Sequence, residues 1–132
     1  MLGAPRIDSG FVALLALDGF EGLQARMRTG DWVTVPPKKG ALAVNFGKLR
    51  ERWTGGANQA PIHRVIGDST ERFSIPFFLE PSVNAVISHI PGCGAPFEPV
   101  LYSDHLWEAT VGFVEQRGIA HLRRPKGIGA AS

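Results

Sequence analysis

The stretch Pro61–Leu79, with the sequence PIHRVIGDSTERFSIPFFL, constrains the fold more than any other part of this chain. Two β-prone runs, 63–66 and 71–79, flank a polar turn at 67–70. Short runs rich in β-branched and aromatic residues, bounded by turn residues, predict a β-hairpin. Side chains alternate between the two faces of a strand. One face of the second run therefore carries Arg72, Ser74, Pro76 and Phe78, and the other carries Phe73, Ile75, Phe77 and Leu79.

The first of these faces places a guanidinium beside a hydroxyl, from Arg72 and Ser74. This pair suits a carboxylate, because the planar fork donates two parallel charge-assisted hydrogen bonds that a lysine cannot match. His63, on the predicted partner strand, is a candidate metal ligand. On residue types alone, the more ordinary interpretation is an edge strand with one solvated arginine.

Several motifs precede this stretch in a fixed order. They are DWVTVPP at 31–37, GALAVNFG at 40–47, RWTGG at 52–56 and HRV at 63–65. Together with HRVIGDSTERFSIPFF they resemble, over roughly residues 6–88, the non-haem iron, 2-oxoglutarate-dependent dioxygenases of the isopenicillin N synthase-like group. The resemblance implies a mostly β fold with a double-stranded β-helix (jelly-roll, cupin-like) core, incomplete at the N-terminus, and a C-terminal helix.

The resemblance also implies which residues bind the metal and which bind the co-substrate. In the family, His-x-Asp is followed by glycine and an apolar strand, and the DSG segment at 8–10 followed by 11–17 fits that pattern. Asp8 and His63 are therefore expected to bind Fe(II), the metal cofactor. Arg72 and Ser74 are expected to hold the distal carboxylate of 2-oxoglutarate, the co-substrate.

Arg6 stands where the family has its first histidine. A guanidinium has no lone pair to give to a metal, so the chain offers one histidine and one carboxylate in place of the 2-His-1-carboxylate triad. The residues leave the third ligand open among His89, His105, His121 and water.

The implied activity is oxidative decarboxylation of 2-oxoglutarate coupled to hydroxylation or desaturation of a small organic substrate. Family members are considerably longer, so we expect a truncated copy of such a dioxygenase. Arg6 and the truncation support an alternative, a non-catalytic remnant of the fold that binds a carboxylate ligand or a protein partner. Missing strands would leave a sheet edge uncovered, which favours self-association.

Composition excludes other classes of partner. The formal charge is only +2 and no block of Lys or Arg stands out, which argues against nucleic-acid binding. The sequence has neither an apolar run that could span a bilayer nor the pattern of a signal peptide, so no membrane partner is expected. The single cysteine, Cys93, cannot form an internal disulfide and fits a reducing, cytoplasmic location.

The remaining segments predict short strands joined by Gly/Asp turns, as in an antiparallel sandwich or barrel. We expect strands within 11–17, 18–26, 32–35, 41–46 and 83–87, and a short helix at 47–53. Ser103 is the predicted N-cap of a longer helix that ends at Gly118. The predicted organisation is one dioxygenase domain with its C-terminal helix at 1–118, followed by a flexible basic tail at 119–132.

Overall fold

The computed structural model describes residues 3–67, 71–123 and 125–129. The chain divides into two compact units. The first comprises Met1–Arg52 and Asn58–Glu80, and the second comprises Trp53–Ala57 and Pro81–Ser132. Within the described ranges, no helix is both long and apolar enough to cross a membrane.

The first unit contains two antiparallel sheets. Its strands are β1 (Gly3–Arg6), β2 (Val12–Leu17), β3 (Leu23–Arg26), β4 (Trp32–Thr34), β5 (Ala43–Phe46), β6 (His63–Val65) and β7 (Ser74–Leu79), with helix α1 (Lys48–Trp53) between β5 and β6. One sheet has the strand order β1-β6-β3-β4 and the other has β5-β2-β7. The mostly β prediction is confirmed, as are the strands expected within 11–46 and the helix at 47–53.

Local sequence explains how the strands begin and end. Gly19 and Gly30 adopt φ angles of 101° and 96° in the connections after β2 and β3, a backbone conformation that residues with a Cβ rarely adopt. Leu23 and Leu49 are 3% and 1% exposed and form the core of this unit together with Ala13. Strand β5 is only partly buried, because Val44 remains 53% exposed.

The predicted hairpin between 63–66 and 71–79 is wrong. Strand β6 lies between β1 and β3 in the four-stranded sheet, whereas β7 pairs with β2 in the three-stranded sheet. The connection therefore passes from one sheet to the other; residues 68–70 of its predicted turn lie outside the described residues. Turn chemistry predicts that a strand ends, but the choice of pairing partner depends on packing against distant neighbours.

The second unit contains β8 (Val86–Ile87), β9 (Val100–Leu101), α2 (Tyr102–Gly112) and a 3-10 helix (Val114–Leu122). The predicted core strand at 83–87 shortens to β8, which pairs with β9 and with no strand of the first unit. The C-terminal helix is confirmed, but its N-cap is Leu101, so the prediction for Ser103 is wrong. Gly118 lies inside the 3-10 helix and does not end α2.

The described part of the predicted flexible tail has defined partners. The carboxylate of Asp104 in α2 accepts hydrogen bonds from the backbone amides of Lys126 and Gly127, at 2.9 and 2.8 Å. It also forms an ion pair with Arg123 Nη2 at 2.7 Å. These two amide hydrogen bonds, followed by the Arg123 contact, lower the pKa of Asp104, while partial burial opposes them. One carboxylate thus joins the start of the helix to residues 123–127.

Candidate metal and carboxylate site

The two predicted metal ligands lie together at one end of the four-stranded sheet. Antiparallel pairing of β1 with β6 places Arg6 opposite His63, and Asp8 follows β1 by two residues. His63 Nε2 lies 3.6 Å from Asp8 Oδ1. The histidine is 4% exposed and the aspartate side chain 22% exposed. The structure therefore brings together two residues that are 55 positions apart in the sequence.

The hydrogen bond at the other ring nitrogen fixes the tautomer of His63. Its Nδ1 lies 3.3 Å from the carbonyl oxygen of Pro61. A carbonyl oxygen can only accept, so Nδ1 donates in this hydrogen bond and Nε2 is the ring nitrogen that faces Asp8. A metal ion bound by this pair would be coordinated through Nε2 and Oδ1.

The separation of Nε2 and Oδ1 is compatible with two ligands of one metal ion. At 3.6 Å, the distance between Nε2 and Oδ1 exceeds that of a hydrogen bond. Two ligands that each lie 2.0–2.2 Å from one metal ion are about 3 Å apart, so a small contraction would bring the pair to coordination distance. Asp8 and His63 thus fit two neighbouring positions of a metal site.

The structure supplies no third protein ligand. Within 3–67, 71–123 and 125–129, no three His, Cys, Asp or Glu side chains form a group that could hold a metal. The side chain of Arg6 lies beside Gly3, since a Cβ added to Gly3 would be 2.9 Å from Arg6 Nη1. The three histidines considered from the sequence all belong to the second unit.

Each of those histidines has its own surroundings. The His89 ring meets Phe97 edge-on with centroids 6.1 Å apart, and its buried Nδ1 has no hydrogen-bond partner among the described residues. His105 stacks on Tyr102 at 6.4 Å, and His121 is exposed in the 3-10 helix. None of the three forms a described metal-binding group with Asp8 and His63.

The loop that carries Asp8 is held by the first turn of α1. The first amides of a helix have no partner within it. Here they donate to consecutive carbonyl oxygens of the loop, with Lys48 N to Asp8 O at 2.8 Å, Leu49 N to Ser9 O at 3.2 Å and Arg50 N to Gly10 O at 3.4 Å. A Cβ on Gly47 would overlap the carbonyl oxygen of Gly10, so this docking requires a glycine. Gly10 and Gly47 both lie in the sequence motifs at 8–10 and 40–47, but the contact between them was not predicted.

The arginine of the predicted carboxylate site is bound to backbone oxygens. Arg72 Nη1 donates to the carbonyls of Glu21 at 2.9 Å and Ile66 at 3.0 Å. It lies over Gly22, where a Cβ would overlap Nη1. Ser74, the first residue of β7, is exposed and pairs with Leu17 across the strands. Arg72 therefore connects the loop before β3 to the end of β6.

Asp18 holds the backbone beside Arg72 and was missed by the sequence analysis. Its carboxylate accepts a hydrogen bond from the Phe73 amide through Oδ2 and one from the Phe20 amide through Oδ1, at 3.3 Å for the latter. The Phe73 hydrogen bond is the main cause of a lowered pKa of Asp18; burial opposes it, and the charge of Arg72 adds a smaller lowering. The Asp-Gly turn at 18–19 was the available signal.

Two open cavities lie beside these residues. One, of about 390 Å³, is lined by both residues whose carbonyls bind Arg72; its lining is Glu21, Gly22, Thr34, Ile66 and Gly67. The other, of about 590 Å³, borders the segment that leads into His63; its lining is residues 26–30 and 59–62, which include Arg26 and Arg28. Neither lining includes Asp8, His63, Arg72 or Ser74 themselves.

Comparison with known proteins defines the family. The model of the 2OG-Fe(II) oxygenase superfamily matches residues 1–81. The chain belongs to this superfamily, which confirms the family predicted from its motifs.

Individual relatives and solved structures agree with this family assignment. The chain is 34% identical over 110 residues to gibberellin 3-beta-dioxygenase 1 of Pisum sativum, an alignment that covers 83% of the chain and 29% of the relative. The dioxygenase for auxin oxidation in rice superposes with a TM-score of 0.72 at 26% identity, covering 90% of this chain and 44% of that one. A full-length Neurospora crassa protein in complex with alpha-KG and 5-formyluracil gives a TM-score of 0.72 at 27% identity, covering 79% and 37%. The chain spans about 30% of the length of the curated relatives it matches.

Proposed function

We propose that this chain forms the iron- and 2-oxoglutarate-binding part of an Fe(II)- and 2-oxoglutarate-dependent dioxygenase. The observation that carries the proposal is the buried His63, whose Nε2 faces the Asp8 carboxylate at 3.6 Å. The two antiparallel sheets of the first unit fit the two sheets of a jelly-roll double-stranded β-helix, which we infer as the core. The lone Cys93 favours a cytoplasmic location.

Asp8 and His63 are the residues that would hold Fe(II). Water would take the ligand position of the family's first histidine, because Arg6 stands in its place. When bound, iron and 2-oxoglutarate together supply the oxidising power for hydroxylation or desaturation. The chain's own part is positioning. Pro61 O accepts a hydrogen bond from Nδ1 of His63, which orients the ring with Nε2 towards Asp8, and the amides of α1 hold the Asp8 loop in place.

Arg72 and Ser74 would hold the distal carboxylate of 2-oxoglutarate. Because Nη1 of Arg72 already donates to two carbonyls, the carboxylate would bind along the Nε–Nη2 edge of the guanidinium. Ile66, whose carbonyl anchors Arg72, lies three residues after His63, which corresponds to about 10 Å along a strand. A five-carbon dicarboxylate chelated at one end and hydrogen-bonded at the other spans a distance on the order of 10 Å.

A small organic molecule is the proposed primary substrate. The cavity of about 590 Å³ reaches Pro61 and Ile62, the two residues that precede His63, so a molecule bound there would lie beside the metal ligand. Enzyme pockets for small ligands typically enclose about 300–1,000 Å³, a range that includes this cavity. The relatives act on diverse molecules, and we therefore propose only the size class of the substrate.

An anaerobic titration of Fe(II) and 2-oxoglutarate tests the proposal. A chelated keto acid on iron gives a visible charge-transfer band, which we expect in the native chain and, with higher apparent iron affinity, in Arg6→His. Arg6→His restores the family's histidine at the strand position opposite His63. Arg72→Ala is the matched variant for the co-substrate and should raise the 2-oxoglutarate concentration at half-saturation by 10-fold or more, on the order of 1.4 kcal/mol.

Arg6 favours a second candidate function, a remnant of the fold that binds a carboxylate ligand without turnover. In that case the band would be absent from the native chain and present in Arg6→His. Absence of the band from both chains, with 2-oxoglutarate still bound, would also overturn the dioxygenase proposal. Absence of both the band and 2-oxoglutarate binding would overturn both functions.

A further inference from the structure

The Asp8 loop, residues 8–11, is held by two separate sets of contacts. The carbonyl oxygens of all four residues accept hydrogen bonds from the amides of residues 47–50, at 2.8 to 3.4 Å. The amide of Phe11 donates in turn to the carboxylate of Glu80, with 2.9 Å between Phe11 N and Glu80 Oε2. Glu80 lies 69 positions later in the sequence and directly follows β7. A side chain at the end of β7 therefore anchors the loop in addition to α1.

Strand pairing brings Glu80 to this loop. Strands β2 and β7 are antiparallel, and Val12 lies opposite Leu79 at one end of the pair. The residue before Val12 and the residue after Leu79 are Phe11 and Glu80, and antiparallel pairing places them next to each other. The hydrogen bond between them thus follows from the register of the two strands.

Gly10 leaves the space that the carboxyl group of Glu80 occupies. The three atoms nearest to a Cβ added at Gly10 all belong to this carboxyl group, and the Cβ would overlap Oε1. Gly10 does not have a positive φ, so its backbone does not itself call for a glycine. The close approach of Glu80 explains why a residue without a side chain stands two positions after Asp8.

Glu80 contacts the backbone of the loop and does not act as the third metal ligand. Within the described residues it forms no metal-binding group with Asp8 and His63. Its partly buried hydrogen bond is made to an amide three residues after Asp8. Contacts behind a metal ligand fix its position, and their loss typically weakens metal binding.

We propose that Glu80 is a positioning residue for Asp8, an inference that rests on the iron site proposed above. Its carboxylate fixes the path of the chain directly after Asp8, by accepting the Phe11 amide and by filling the space beside Gly10. A loop that is already ordered without metal loses less conformational entropy when the metal binds. Since β7 begins at Ser74, one strand also joins the proposed co-substrate site to the loop of the proposed metal ligand.

Iron affinity of Glu80 variants tests this role. We expect Glu80→Ala to weaken Fe(II) binding by about 10-fold or more in an anaerobic titration. Glu80→Gln keeps an oxygen acceptor for the Phe11 amide and should lose only about threefold, because a neutral acceptor makes a weaker hydrogen bond than a carboxylate. Glu98→Ala is the matched control for the change in charge: Glu98 is an exposed carboxylate of the other unit, and its variant should bind iron like the native chain. Circular dichroism of all variants should match that of the native chain.

Gly10→Ala tests the contact itself. The added Cβ would displace the carboxyl group of Glu80, so this variant should weaken iron binding as Glu80→Ala does. In the double variant the obstacle is absent, so the two losses should not add. In the metal-free chains, the Phe11 amide should exchange its hydrogen faster in Glu80→Ala and in Gly10→Ala than in Glu80→Gln, because both variants remove its acceptor.

The outcomes separate this role from the iron site on which it rests. A native chain that binds no Fe(II) would overturn the proposed function and the role of Glu80 together. Iron binding that is equal in the native chain and in Glu80→Ala would overturn the role of Glu80 alone. The same holds for equal losses in Glu80→Ala and Glu80→Gln, which would identify charge as the cause, and for additive losses at Gly10 and Glu80.

Discussion

Gly47 is the residue on which the position of Asp8 depends most directly. A Cβ at Gly47 would overlap the carbonyl oxygen of Gly10, one of the oxygens that α1 caps. Gly47→Ala therefore has to move either the helix or the Asp8 loop, and overpacking of this kind costs about 1–3 kcal/mol. We expect a lower free energy of unfolding in urea and weaker iron binding in the same variant.

Gly112→Ala is the control for this prediction. Gly112 is the last residue of α2, and a Cβ there would meet no atom within 4 Å. Alanine at this helical position should leave the free energy of unfolding unchanged or raise it by about 0.5–1 kcal/mol. An equal loss of unfolding free energy in Gly47→Ala and Gly112→Ala would show that the contact between Gly47 and Gly10 does not explain the destabilisation.

Asp18 predicts a specific dependence of stability on pH. Its pKa is lowered in the folded chain, mainly by the Phe73 amide, so the ionised carboxylate stabilises the fold. A lowered folded-state pKa contributes stability that is fully present above the ordinary value of about 3.9 and is lost as the pH falls through the folded-state pKa. Asp18→Asn should therefore lower the urea midpoint near about pH 7, and this difference should shrink below about pH 4.

Glu98→Gln provides the control because Glu98 is an exposed carboxylate in the other unit. Its urea midpoint should follow that of the native chain at both pH values. A difference between Asp18→Asn and the native chain that stays constant from neutral to acidic pH would show that the ionised carboxylate is not its cause. Since Asp18 holds the backbone of Phe73, next to Arg72, the variant should also bind 2-oxoglutarate more weakly.

At the scale of secondary structure, strands were predicted better than their partners. The strands around His63 and Ser74 were predicted from residue type and alternation, which are local properties. Their assignment to different sheets was missed, because it depends on β2 and β3, which lie some 50 residues earlier in the sequence. The roles of Gly47 and Asp18 were missed for a similar reason, since each contacts a segment that is distant in the sequence.

Asp104 connects the start of α2 to the residues that follow the 3-10 helix, so this anchoring of the C-terminal segment can be tested. Asp104→Ala removes the acceptor for Arg123 Nη2 and for the amides of Lys126 and Gly127. We expect trypsin to cleave after Arg123 and Lys126 several times faster than in the native chain. Two contacts of Arg123 remain, a 3.1 Å hydrogen bond to Ser103 Oγ and the Trp107 ring, whose centroid lies 5.9 Å from the guanidinium carbon; neither replaces the acceptor of the Lys126 and Gly127 amides.

Glu108→Ala is the matched control on the same helix, because Glu108 is exposed. Its cleavage pattern should equal that of the native chain. Equally rapid cleavage in the native chain and in Asp104→Ala would contradict the anchored arrangement and support the flexible tail predicted from the sequence. Mass spectrometry of the fragments distinguishes cleavage at 123 and 126 from cleavage elsewhere.

At the scale of the whole molecule, the motifs predicted the family and the β architecture, while the strand edge at β7 exposes surface that the sequence left unassigned. Alternation along 73–79 separated an apolar face from a mixed face, and residues of both faces are exposed in the structure. Local alternation assigns side chains to faces, whereas the burial of each face depends on segments that are distant in the sequence.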